Sequence, residues 1–235
     1  MFLGGFLGTE EQWIAFVPKW REALGPQRPF LHMNRLRWKK ESTRRLLEKL
    51  GSIPDECNLT PIMGGLRYRD YEDLVIGTPE ERLLRGYVAC IAPMVIQILR
   101  VIPNNERLEL VFEEQREYQH YANMAFQISI LDTACRQQPW AVTSDGKPKL
   151  AKWSFVPKGS TVMTDPADYF VFALRQSYVY PKSKKAQWCK PILQSGKGEG
   201  IGVIMKRDMI RNIITSTQTI AYHKTLAQWL SRGGP

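Results

Sequence analysis

Short apolar runs alternate along this chain with helix start signals, and that alternation limits the fold more than any other feature. Phe2 to Gly8 reads as a buried strand whose glycines allow close packing. Thr9 and Gln12 have the spacing of a capping box. Trp13, Phe16, Val17, Trp20 and Leu24 then recur at helical spacing until Gly25-Pro26 stops them. Phe30 to Met33 reads as a short extended piece, and Ser42 is placed to cap a second helix through Leu50. Leu59 to Tyr68 reads as a strand, with Gly64-Gly65 marking a bulge. Thr78-Pro79-Glu80-Glu81 opens a helix that runs to about Arg100.

The same alternation continues toward the C-terminus. Leu108 to Phe112 reads as a strand, Tyr118 to Arg136 as a helix and Lys152 to Val156 as a strand. Thr164 is placed to cap a helix from Pro166 to about Tyr178, with Asp165 in the cap region. A basic, glycine-rich loop at 182–202 follows, then an amphipathic helix from about Asp208 to Leu230. Strands that alternate with helices specify an α/β layered domain.

Composition supports a packed domain. Of 235 residues, 43% are apolar and 24% charged, which supplies a core and argues against disorder. The net charge is +10 and its excess is local. Ten Lys or Arg against three Glu lie between Lys19 and Lys49, and seven against Glu199 alone lie between Lys182 and Arg207. Such patches attract nucleic acid and other polyanions, or serve as solvated faces. Cys57, Cys90, Cys135 and Cys189 are scattered, without a Cys-x-x-Cys pair, so neither a common zinc site nor a disulfide framework is expected. A reducing cytoplasm fits them. The apolar stretch from Tyr87 to Leu99 carries Pro93 and is too short to span a bilayer. The apolar N-terminus lacks a basic lead, and Glu10-Glu11 follow at once, unlike a signal peptide.

Two acids stand at element ends. Glu113 closes an apolar strand and Asp168 lies in the first turn of an apolar helix. Carboxylates so placed can meet across the fold and hold Mg²⁺ or Mn²⁺, the ions of phosphoryl-transfer chemistry. An acid in a first helical turn is equally explained by the helix dipole. Glu114 points away from Glu113 by strand alternation, and Asp165 reads as a cap. His32 is placed either to meet a phosphate or metal, or to pack as a loop residue. Glu117 and His120 have di-iron spacing, but no second such pair exists. Gly196-Lys197-Gly198 fails the phosphate-loop spacing. Trp188 among Lys182, Lys184, Lys185 and Lys190 suits single-stranded nucleic acid, a ring to stack a base and ammonium groups for phosphates, or anchors the loop on the domain. No Ser or Cys is visibly poised beside His32, His120 or His223 for covalent catalysis.

Four pieces occur in a telling order: Gly4-Gly5-Phe6 with Glu10-Glu11-Gln12-Trp13, Phe30-Leu31-His32-Met33, Val111-Phe112-Glu113, and Ala167-Asp168-Tyr169-Phe170 with Ala173-Leu174-Arg175. Over roughly residues 1–180 this resembles the domain-of-unknown-function 3800 family of the RNase-H-like superfamily. The resemblance implies an RNase-H-like mixed sheet flanked by helices, with residues 181–235 packed on the same domain. It implies Glu113 and Asp168 as the second and third catalytic acids of a Mg²⁺- or Mn²⁺-dependent nuclease or phosphodiesterase, associated with mobile elements or defence. Family members usually open with a strand ending in Asp-Glu-Ser-Gly, whose Asp is the first metal ligand. This sequence has no such motif, and Met1 falls where the second strand of the family starts, so the first strand is expected to be missing. The alternative is a non-catalytic module on the same fold that binds nucleic acid or protein.

Overall fold

The computed structural model describes residues 2–66, 79–114, 138–195 and 200–205, with Tyr71, Gln119 and Asp208 besides. The helices expected at 118–136 and 208–230, and the glycines at 196–198, lie outside these residues apart from Gln119 and Asp208. Strand β1 is Phe2–Leu7 and helix α1 is Glu10–Leu24. The capping box forms as its spacing requires. Thr9 Oγ1 accepts from the Gln12 amide at 3.4 Å, and Gln12 Oε1 accepts from the Thr9 amide at 2.7 Å. Gln12 Nε2 also donates to the Asn58 carbonyl at 3.0 Å, which ties the start of α1 to the turn before the next strand. The apolar stripe of α1 buries Phe16, Trp20 and Leu24.

Phe30 to Met33 forms no strand; a 3-10 turn at Met33–Arg35 follows it. Helix α2 is Glu41–Glu56. Its N-cap residue is Lys40, not Ser42, and no side chain caps it. The helix starts early because Arg37 organises the turn before it: its carbonyl accepts from the Lys40 amide at 3.0 Å and from the Thr43 hydroxyl at 2.9 Å. The helix also outruns Leu50, because Ile53 and Pro54 extend the face that buries Leu46, Leu47 and Leu50. Asn58, at φ 53°, turns the chain out of α2, a left-handed position that Asn tolerates better than most residues.

Strand β2, Thr60–Leu66, runs antiparallel to β1, with Gly5 opposite Ile62. The pairing is unbroken from Phe2 to Leu7, so Gly64-Gly65 makes no bulge. Gly64 is needed for another reason: a Cβ there would lie 2.5 Å from the carbonyl oxygen of Cys90. Cys90 belongs to helix α3, Pro79–Val101, which packs across β2. Strand β3, Leu108–Glu113, and strand β4, Leu150–Val156, form a separate parallel pair. Helix α4, Asp165–Val179, packs against β1. The stretch expected as a loop after Pro181 holds two short helices, α5 at Lys184–Trp188 and α6 at Lys190–Gln194. Ser183 Oγ caps α5 by accepting from the Ala186 amide at 3.1 Å. Buried Ala186, Cys189 and Ile192 hold the pair on the domain. Strand β5, Ile201–Met205, begins at the end of the loop expected at 182–202 and runs beyond it, and pairs parallel with β2. The result is α/β: a three-stranded sheet in the order β1-β2-β5, and the β3-β4 pair.

Two apolar clusters fill the interior. One joins Phe16, Trp20, Leu47, Leu50, Tyr169 and Ala173. The other joins Ile91, Val95 and Ile98 of α3 to Leu108, Leu110 and Leu150 of the β3-β4 pair. Each fully buried aliphatic side chain contributes roughly 1.5–3 kcal/mol. Buried Lys149 secures the far end of α3, its ammonium donating to the carbonyls of Leu99 at 3.2 Å and Ile102 at 2.8 Å.

The first cluster also encloses a carboxylate. Asp165 is 4% exposed. Its Oδ2 accepts from Trp20 Nε1 at 3.2 Å and from the Leu31 amide at 2.8 Å. It does not cap α4; Thr164 holds the N-cap position as expected, but its hydroxyl donates to the Thr161 carbonyl instead of capping the helix. Burial pushes the Asp165 pKa up to about 6, against the downward pull of its two hydrogen bonds. Asp165→Ala strands two buried donors and is expected to cost about 2–4 kcal/mol in a urea titration. The folded state holds the Asp165 proton more tightly than the unfolded chain does. The resulting stability is present below about pH 4 and is lost as pH rises through about 6. Asp165→Asn should remove that part of the pH dependence; parallel wild-type and Asn curves from pH 4 to 7 would contradict the assignment.

Candidate functional site

The end of β3 and the start of α4 converge on one lysine. Lys158 Nζ lies 2.7 Å from Glu113 Oε1 and 3.6 Å from Asp168 Oδ2. The local sequence explains how it arrives there. Pro157-Lys158-Gly159-Ser160 leaves β4 in a turn closed by the Ser160 amide on the Pro157 carbonyl at 3.0 Å. Gly159, at φ 76°, takes the position that needs a positive φ, and Lys158 takes the one before it. The Phe30 ring lies against Gly159, where a Cβ would come within 2.6 Å of it. Phe30 thus packs on the turn, Leu31 is held by Asp165, and His32 comes beside Asp168. His32 Nδ1 is 3.9 Å from Asp168 Oδ2.

Partial burial works against the Lys158 ammonium. The Glu113 hydrogen bond and the charges of Asp168 and Glu113 outweigh it and hold the Lys158 pKa above its ordinary value. Asp168 Oδ2 and His32 Nδ1 are both buried without a hydrogen bond. The two carboxylates face one cation, and in this structure that cation is the Lys158 ammonium. A pair of divalent ions would need further bridging ligands. Among the described residues, no group of three His, Cys, Asp or Glu is arranged to hold a metal.

A second feature joins the basic segments. Trp38 stacks on Phe172 of α4 at 5.2 Å between centroids and on Trp188 of α5 at 6.2 Å. The Lys185 ammonium lies 5.2 Å above the Trp38 ring. Trp38 and Trp188 are both half-buried, so Trp188 anchors α5 as well as reaching the surface. Around them Arg35, Arg37, Lys39, Lys40, Lys182, Lys184 and Lys190 are exposed. The stack therefore brings together two basic stretches far apart in sequence.

Lys158 and Trp38 escaped sequence reasoning. The Pro-x-Gly turn after β4 was the available signal for Lys158. For Trp38 it was a ring inside the run from Arg35 to Lys40. Comparison of the chain with protein-family models, curated proteins and solved structures found no match. Among the described residues no helix is long and apolar enough to cross a membrane.

Lys158→Met leaves the two carboxylates facing each other without their cation. We expect a loss of about 1 kcal/mol at neutral pH, modest because the pair is part-exposed. Mn²⁺ should then raise the melting temperature of this variant more than that of wild type, and Asp168→Asn in the same background should abolish the gain. An equal Mn²⁺ shift in all three proteins would remove Glu113 and Asp168 as a cation site.

Proposed function

We propose that this protein binds nucleic acid on an RNase-H-like frame. The observation that carries the reading is the Trp38–Trp188 stack, which brings together two segments rich in exposed cations. Ammonium and guanidinium groups neutralise backbone phosphates, and half-buried rings offer stacking edges to unpaired bases. Among the described residues those seven exposed cations have no carboxylate within ion-pair distance, so their charge is directed to solvent. The frame is supported by the element order and by acids at the end of β3 and the start of α4. The buried free thiols of Cys57, Cys90 and Cys189 suit a reducing, cytoplasmic setting.

A second reading rests on the shared lysine: a phosphodiesterase site in which Glu113 and Asp168 hold Mg²⁺ or Mn²⁺. Such an ion would polarise a phosphoryl oxygen. Lys158 holds the two acids together in its absence. Among the described residues no third ligand joins Glu113 and Asp168, so binding is the stronger reading and hydrolysis the weaker.

Binding is tested by titrating a short single-stranded oligonucleotide at low and moderate salt. Affinity should fall steeply with salt, with a slope of about −0.7 for each phosphate neutralised. Replacing Lys182, Lys184 and Lys185 together with Ala should flatten the slope by about two units. No measurable binding at about 50 mM salt would end the nucleic-acid reading.

A further inference from the structure

The last turn of α4 projects from the body of the domain. Tyr169, Phe170, Ala173 and Gln176 are buried, whereas Tyr178, Val179 and Tyr180 are 54%, 49% and 55% exposed. Consecutive helical residues lie about 100° apart, so three exposed in succession leave the helix end surrounded by solvent on most sides. The backbone there is nonetheless fixed. The Tyr180 amide donates to the carbonyl of buried Gln176 at 2.8 Å. The Ser183 amide donates to the Tyr180 carbonyl at 2.9 Å, closing a turn with Pro181 in the position that proline favours. The same Ser183 caps α5. The Tyr178 ring meets Phe2 edge-on, with centroids 5.5 Å apart. The Tyr180 ring stands out from this corner, which is built by backbone bonds in which it takes no part.

Charge says what would meet this ring. Between Asp168 and Glu199 the chain has no acid, but it carries Arg175, Lys182, Lys184, Lys185, Lys190 and Lys197. Arg175 is exposed about one turn before Tyr178, and Lys182 and Lys184 are exposed just beyond Tyr180. Such a corner attracts a polyanion. A lipid surface suits it poorly, because Val179 is its one exposed aliphatic side chain and its exposed rings carry hydroxyls. A nucleic-acid strand suits it well, with phosphates for the cations and a base for the ring. The base must be unpaired, because those of a duplex are already stacked on one another. Trp38 and Trp188 are less open to a base, since they pack on each other and Trp38 also meets Phe172 and Lys185.

We propose that Tyr180 is a stacking platform for an unpaired base, with Lys182 and Lys184 holding the phosphates beside it. The proposal rests on the nucleic-acid reading above and narrows it to single strands. The lysines supply attraction to any nucleic acid, and the ring supplies the preference for a strand whose bases are free. Because the turn is closed and the helix after it capped before a strand arrives, little backbone freedom is lost on binding.

The probes are a fluorescent oligothymidylate and a hairpin duplex with the same number of phosphates, each titrated against the full chain by anisotropy. Tyr180→Ala removes an exposed side chain and should leave the melting temperature unchanged. It should weaken oligothymidylate binding about tenfold or more, without altering the salt slope or the hairpin affinity. Tyr180→Phe should restore strand binding. Lys182→Ala should instead flatten the slope by about 0.7 on the single strand. Wild-type binding that Tyr180→Ala leaves intact, or weakens equally on strand and hairpin, would overturn the stacking platform and leave the nucleic-acid reading standing. No wild-type binding to either probe would remove both. Binding to phosphatidylserine vesicles that is lost in Tyr180→Ala, with none to oligothymidylate, would overturn the proposal in favour of a membrane surface.

Discussion

The interior depends on one buried carboxylate. Asp165 accepts from the indole of α1 and from the backbone of the segment that crosses the start of α4. Neither α1 nor that segment is bonded to α4 by regular secondary structure, so the carboxylate sets how they lie against it. The arrangement then propagates along the segment. Phe30 packs on the turn bearing Lys158 and His32 is delivered to Asp168. An acid that resembles a helix cap in sequence is therefore what places the groups of the candidate site. Burying a charge opposes folding, and its two donors offset that penalty.

Local signals were read from the sequence where both partners lie close together. The Thr9–Gln12 box, the stripe of α1 and the proline-led start of α3 each depend on neighbours within a turn or two. What escaped depends on distant groups. Ser42 has the chemistry of a cap, but the turn built on Arg37 starts α2 before it. Gly64 resembles a bulge until α3 is laid over it and Cys90 occupies the space of a side chain. The helices at 184–194 were obscured by Lys184 and Lys190, which face solvent while Ala186 and Ile192 face inward. Glu113 and Asp168 were legible as acids at element ends; the lysine between them was not, because only the folded turn brings it there.

The cations of this protein are not equivalent. The basic groups near Trp38 are exposed to solvent. A polyanion approaching this protein is steered toward them. Lys158 stands apart from that set. Its ammonium is consumed by Glu113 and Asp168, so it adds nothing to the attraction of phosphate while it stays between them.

The parallel pairing of β5 with β2 has a consequence for the order of assembly. Ile62 must find Ile201 across most of the chain, whereas Leu7 meets Thr60 after only two intervening helices. Loop closure of that span is entropically the most demanding step in the first sheet. The β1–β2 pair is therefore the early platform, and β5 is its last strand to join. Until β5 arrives, one edge of the central strand stays open to competing chains, which makes the nascent protein most vulnerable to mispairing at a stage when most of its core is already built.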